Sequence, residues 1–345
     1  MLQRYILFWL VTSSALAFVW PDFGLPFDPF LAVGSSAINR LIVVTMFCVG
    51  ALLPIDEVNL ILRRWPTVLI GTTIQYISMP LLAWLVVKVT NPDPQIALGI
   101  LIVGCVPGAM ASNVLTLTAK GNVSYSVSLT TSATLLSPLV VPLALWLTVA
   151  ADVNYNGWEA VKLLLTQVVL PVIFGHLLSR FSAAFRTVAE LGGATIANIT
   201  IMAIIAIAIA GKRTELGQAS FYLLLSLSAI NASGYLAGYF GGRAFRLPEP
   251  MRRALTLEVG MQNAGAGIVL ARQLFGDDSP AVIPCVLYTF GCMLTGTILA
   301  TVWHYRPHAE AAVPPLNDLP VKVELSDNNV AFIRSTSPGS ENIER

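Results

Sequence analysis

The sequence predicts an all-α integral membrane protein of ten transmembrane helices in two inverted five-helix repeats, with the fourth and ninth helices broken. Three observations predict it. The chain is 55% hydrophobic and 11% charged, with a mean hydropathy of +0.73, whereas a soluble domain carries about 25% charged residues. Its apolar residues gather into runs long enough to cross a bilayer, about 17–25 residues each. The least regular runs stand fourth and ninth, the same place in each half.

The runs lie near 4–20, 34–53, 66–88, 95–119 and 121–150, then near 159–181, 188–210, 217–243, 249–274 and 280–303. Turn chemistry separates them: Pro21-Asp22-Phe23-Gly24, Asn91-Pro92-Asp93-Pro94, Lys120-Gly121-Asn122, Asn154-Tyr155-Asn156-Gly157, Pro248-Glu249-Pro250 and Asp277-Asp278-Ser279-Pro280. The first run also carries Arg4 and Ala15-Leu16-Ala17, a pattern that suits a cleaved signal peptide. It is read as a span, because removing it spoils the symmetry. Residues 1–150 form the first repeat and 155–303 the second. Residues 304–345, rich in Pro, Ser, Asn and charge, are expected to be a disordered cytoplasmic tail.

Basic residues orient the chain. Arg4, Arg63, Arg64, Lys120, Arg180, Arg186, Arg243, Arg246, Arg252, Arg253 and Arg306 fall on the side of the N-terminus. Lys88, Lys162, Lys212, Arg213 and Arg272 fall opposite. The bias predicts a multi-pass protein of the cell (plasma or inner) membrane with both termini in the cytoplasm. An odd number of spans per half inverts the second repeat. In transporters built that way, binding sites lie at the midplane on discontinuous helices.

The interruptions carry the chemistry. Pro107 and Gly108 interrupt the fourth run, since proline cannot donate a helical hydrogen bond and glycine permits unusual dihedrals. The ninth run holds Glu258-Val259-Gly260-Met261-Gln262-Asn263-Ala264-Gly265-Ala266-Gly267. An ionisable group at membrane depth costs about 2.5–3.5 kcal/mol on insertion scales and marks a functional site. Ser112, Asn113, Asn263, Gln262, Gln75, Ser126, Thr130 and Thr131 add hydroxyl and amide groups, with Ser126 and Thr130 on one helix face. One carboxylate among neutral oxygens suits a small monovalent cation such as Na⁺. Glu258 could instead carry a proton or pair with Arg252 or Arg253. Those arginines stand six and five residues away, outside the i,i+3 and i,i+4 spacings of helical contacts.

Other features read as structural. Gly234, Gly238 and Gly242 form a close-packing helix face, His176 sits at an interface, and Cys48, Cys105, Cys285 and Cys292 are buried apolar residues. A formal net charge of +1 argues against a nucleic-acid partner. No nucleophile–base pair points to an enzyme.

These motifs resemble the bile acid:sodium symporter family, in its ten-helix bacterial type, over residues 1–303. Glu258-x-Gly260-x-Gln262-Asn263 is the most specific element, supported by Pro107-Gly108 and Ser112-Asn113. The resemblance implies a core domain from segments 3–5 and 8–10 (about 66–150 and 217–303) and a panel domain from segments 1, 2, 6 and 7. The broken segments cross near the midplane. It further implies two co-transported Na⁺ ions: one held by Ser112, Asn113, Ser126, Thr130 and Glu258, the other by Gln75, Glu258, Gln262 and the carbonyls of Val259 and Met261. Substrate would meet Pro107, Gly108, Ala109, Met110, Asn113 and Asn263. Family members often carry Pro-Gly-Gly-Thr where this chain has Pro107-Gly108-Ala109-Met110, which leaves the sodium ligands intact and the substrate open. The expectation is sodium-coupled symport of a small organic anion, bile-acid-like, pantoate-like or a keto acid, with no obligatory protein partner. A cation/proton antiporter is the alternative, ahead of a non-transporting receptor.

Overall fold

The computed structural model describes residues 6–54, 61, 65–149, 155–306, 323–326 and 329–332. Helix α1 (Ile6–Val19) runs into a tight turn at Trp20–Phe23, closed by Gly24 in the left-handed region (φ 63°). Asp28 caps the short α2 (Pro29–Ala32), its side chain accepting from the Phe30 and Leu31 amides. Then come α3 (Ser35–Ala51), α4 (Trp65–Thr90), α5 (Pro94–Cys105), α6 (Ala111–Thr118) and α7 (Val123–Thr148). The second half holds α8 (Gly157–Phe181, with one π turn at Leu165–Val169), α9 (Ala183–Ala210) and the short α10 (Arg213–Gly217). It continues with α11 (Phe221–Ala244), α12 (Glu249–Gly260), α13 (Ala264–Phe275) and α14 (Val282–Tyr305).

Among the described residues, six helices, α4, α7, α8, α9, α11 and α14, are long and apolar enough to cross a membrane, while α1, α3, α5 and α13 are apolar but shorter. Large apolar side chains such as Leu139, Trp146, Phe174 and Leu191 face outward. This is the surface of a multi-pass membrane protein, with a solvent of acyl chains rather than water.

The helix starts follow local capping more closely than hydropathy. The seventh apolar run is expected from 188, but α9 begins at Ala183 because Ser182 caps it, accepting from the Phe185 amide at 3.2 Å. Its first turns carry Arg186 and Glu190, which an apolar window passes over. Asn156, Ser220 and Asn122 likewise cap α8, α11 and α7.

Two packing groups emerge. Helices α1, α3, α8 and α9 lie against one another, and α4 lies against α5, α7 and α11, with α12 on α11 and α7. Close backbone approaches hold both groups. A Cβ at Gly50 would fall on the Val172 carbonyl, and one at Gly175 on the Phe47 carbonyl, so α3 and α8 touch main chain to main chain. On α11, the close-packing face meets α12: a Cβ at Gly238 would lie 2.7 Å from Thr256 Cα, and one at Gly234 3.2 Å from Gly260 Cα.

Residues 305–345 form a separate unit. Where the sequence is expected to be disordered, Val323–Ser326 pairs antiparallel with Asn329–Phe332, Val323 opposite Phe332. The rest of the expected tail lies outside the described residues.

Candidate functional site

Both expected interruptions are real breaks. Helix α5 ends at Cys105 and α6 begins at Ala111, with Val106 extended (φ −66°, ψ 156°). Helix α12 ends at Gly260, Met261 is extended (φ −111°, ψ 105°), and Asn263 caps α13 by accepting from the Ala266 amide at 3.1 Å. The two breaks pair with each other. The Ala109 amide donates to the Met261 carbonyl, and the Asn263 amide to the Pro107 carbonyl, each at 2.8 Å. Gly108 thereby sits opposite Gln262 in an isolated antiparallel bridge. Backbone that leaves a helix in an apolar interior must find partners, and here each break supplies them to the other.

Glu258 lies one turn before the second break and is 0% exposed. Its Oε2 accepts from Ser112 Oγ at 2.5 Å and from Thr130 Oγ1 at 2.8 Å. Its Oε1 has no partner. This second oxygen faces Gly108: a Cβ at 108 would fall on it and would lie 3.3 Å from Gln75 Nε2. Gln75, 1% exposed, has no partner for either amide atom. Gln262 donates Nε2 to the Val259 carbonyl at 2.8 Å, while its Oε1 is also unpartnered. Buried polar atoms are nearly always hydrogen-bonded, so these unsatisfied atoms, two of them beside Gly108, mark a place built for something else. Oxygen atoms predominate in that set, which fits a hard cation.

The residues expected around a first cation are placed unequally. Ser112, Thr130 and Glu258 are in direct contact. Asn113 is half-buried and joins through a long 3.4 Å bond from Thr130. Ser126, 0% exposed, does not bond the carboxylate; its oxygen accepts from Thr116 Oγ1 at 3.2 Å. Of the expected carbonyls, Val259 already accepts from Gln262 and Met261 from Ala109. Each keeps one lone pair, since a carbonyl oxygen has two. The expected substrate residues split by depth: Pro107 and Gly108 are buried, and Ala109, Met110, Asn113 and Asn263 are half-buried.

The arginines do not reach Glu258. Arg252 and Arg253 both pair with Glu249, Arg253 through Nε at 3.1 Å. Arg253 also donates to the Ala119 and Trp303 carbonyls, at 2.8 and 3.2 Å. Helix geometry decides this, because Glu249 stands three and four residues before them.

Thr116, Asn231 and Tyr288 belong to the surroundings of the site and escape a reading of the sequence. Thr116 lies one turn after Ser112 on the same face, a signal that was there to find. Asn231 is an amide within an apolar run. Tyr288 has no local signature.

A model of the sodium bile acid symporter family matches residues 40–219. That span includes Gln75, the first break, Ser112, Ser126 and Thr130, and stops before α12. The uncharacterized sodium-dependent transporter YocS of Bacillus subtilis (strain 168) is 32% identical over 295 residues, covering 86% of this chain and 89% of that protein. The chain belongs to the sodium bile acid symporter family. As a member, it is a transporter of a sodium-dependent family and not an enzyme. The probable sodium/metabolite cotransporter BASS1 of Arabidopsis thaliana chloroplasts is 32% identical over 263 residues, 75% of this chain and 65% of that protein. Mouse sodium/bile acid cotransporter 4 is 28% identical over 267 residues, 73% of this chain and 59% of that protein.

Proposed function

We propose that the chain couples the entry of two Na⁺ ions to uptake of a small organic anion, by alternating access across a cell membrane. One observation carries the reading. Glu258 is buried with one oxygen held by two hydroxyls and the other left open beside the unpartnered amide of Gln75. In this reading Ser112, Asn113, Ser126, Thr130 and Glu258 hold one ion. Gln75, Gln262, Glu258 and the carbonyls of Val259 and Met261 hold the other. A carboxylate shared by two cations needs no second acid, and among the described residues Glu258 is the sole buried carboxylate. A proton antiporter would be expected to use more than one.

The ten spans form two inverted five-helix repeats with both termini cytoplasmic. The group α1, α3, α8 and α9 would act as a panel, and the group built around α4, α5, α7, α11 and α12 as the core. Sodium would organise α6 and α13, and their N-terminal amides would then receive the anion's carboxylate or sulfonate. Pro107, Gly108, Ala109, Met110, Asn113 and Asn263 border that space. Names of relatives leave bile-acid-like, pantoate-like and keto acids open. Each ion crossing with the field gains about 2.3 kcal/mol per 100 mV, so two Na⁺ with one monovalent anion make uptake electrogenic.

The test is the thermal stability of purified protein in Na⁺ against K⁺, across a panel of organic anions. Sodium-specific stabilisation that disappears in Glu258→Gln supports the reading. A wild type indifferent to sodium sinks it, and sodium-driven proton exit without anion uptake would replace it with an antiporter.

A further inference from the structure

The carbonyl of Gly260 is the last of α12, and orphan carbonyls at a helix end must be satisfied by other groups. Two buried side chains reach it from two different helices. Asn231 on α11 donates Nδ2 to it at 2.8 Å, and Tyr288 on α14 donates its hydroxyl at 2.8 Å. Asn231 is 3% exposed and Tyr288 1%. A carbonyl only accepts, so the Asn231 atom facing it must be the NH₂ group. The amide oxygen then accepts from Thr295 Oγ1 at 2.7 Å, and the Tyr235 hydroxyl bonds Thr295 at 3.1 Å. Nothing about this amide is left free to rotate.

The consequence concerns the neighbouring carbonyls. Both lone pairs of the Gly260 oxygen are used, so it is withdrawn from any ion. Met261 is extended (φ −111°, ψ 105°), and carbonyls on either side of an extended residue point in opposite directions. Holding the Gly260 carbonyl toward α11 and α14 therefore turns the Met261 carbonyl the other way, where it accepts from Ala109 of the first break.

We propose that Asn231 and Tyr288 are positioning residues for the cation site: by clamping the Gly260 carbonyl they present the neighbouring Met261 carbonyl to the ion. This rests on the sodium reading above. Groups that orient metal ligands typically change metal affinity by about 10–100-fold when removed.

The experiment titrates thermal stability of the full purified chain with NaCl, KCl holding ionic strength constant, in wild type, Asn231→Leu and Tyr288→Phe. The clamp predicts that each variant needs about tenfold more sodium, or above, for half-maximal stabilisation. A purely structural role would lower melting temperature equally in Na⁺ and K⁺ and leave the sodium midpoint in place, and that result overturns the inference. If Asn231→Leu does not fold, Tyr288→Phe, which removes a single hydroxyl, decides the matter. A wild type without any sodium response overturns the sodium reading itself. A responsive wild type with unshifted variants overturns the clamp alone.

Discussion

A side chain at position 108 would collide with the Glu258 carboxylate where it stands: a Cβ there would lie 2.1 Å from Oε1 and 2.7 Å from Cδ, so the carboxylate would have to move. The glycine is therefore required for the space beside it. Gly108→Ala should displace the carboxylate, at about 1–3 kcal/mol for overpacking. Measured as the stability difference between Na⁺ and K⁺, the variant should lose most of its sodium response while still inserting into the membrane. An unchanged response would show that Oε1 takes no part.

Gln75 allows a test in which two effects have opposite signs. Its buried amide has no partner, and an unsatisfied buried group costs about 1–3 kcal/mol. Gln75→Leu should leave stability in K⁺ equal or higher and weaken stabilisation by Na⁺. A variant destabilised equally in both salts would mark Gln75 as ordinary packing.

Arg253 fastens the first half of α12. It is 3% exposed and ties α12 to the end of α6 through Ala119 and to α14 through Trp303. Removing one partner of a buried charge pair costs about 3–5 kcal/mol, and Glu249 in this pair is less buried, so the lower end applies. Arg253→Ala should unfold at markedly lower temperature than wild type in either salt. A melting temperature within error of wild type would contradict that role.

Gly175 supplies a control in the other packing group. A side chain there meets the Phe47 carbonyl, which is backbone and cannot swing aside. Gly175→Val should destabilise by about 1–3 kcal/mol with the sodium midpoint unchanged. A shifted midpoint would mean that α3–α8 packing is coupled to the cation site.

The site was legible where its chemistry is local. Pro107-Gly108 announces a broken helix, and Glu258 with its glycines announces a second break, because proline, glycine and an isolated charge each conflict with an apolar helix whatever surrounds them. Ser112 and Thr130 could be named as oxygen donors by type. Their unequal roles could not: Ser126 shares a helix face with Thr130 yet turns to Thr116 rather than to the carboxylate.

The sequence by itself determined that the chain is helical and membrane-embedded, where its helices break, and which single carboxylate lies at depth. Those follow from composition, period and local backbone chemistry, which act over a few residues. Only the tertiary structure decided that the two breaks hydrogen-bond to each other, Gly108 opposite Gln262. It alone brought Asn231 and Tyr288, from two other helices, to one carbonyl. The reason is separation along the chain: groups on different helices become partners only when packing brings them within reach. A buried hydrogen bond then selects its donor by direction as well as by residue type.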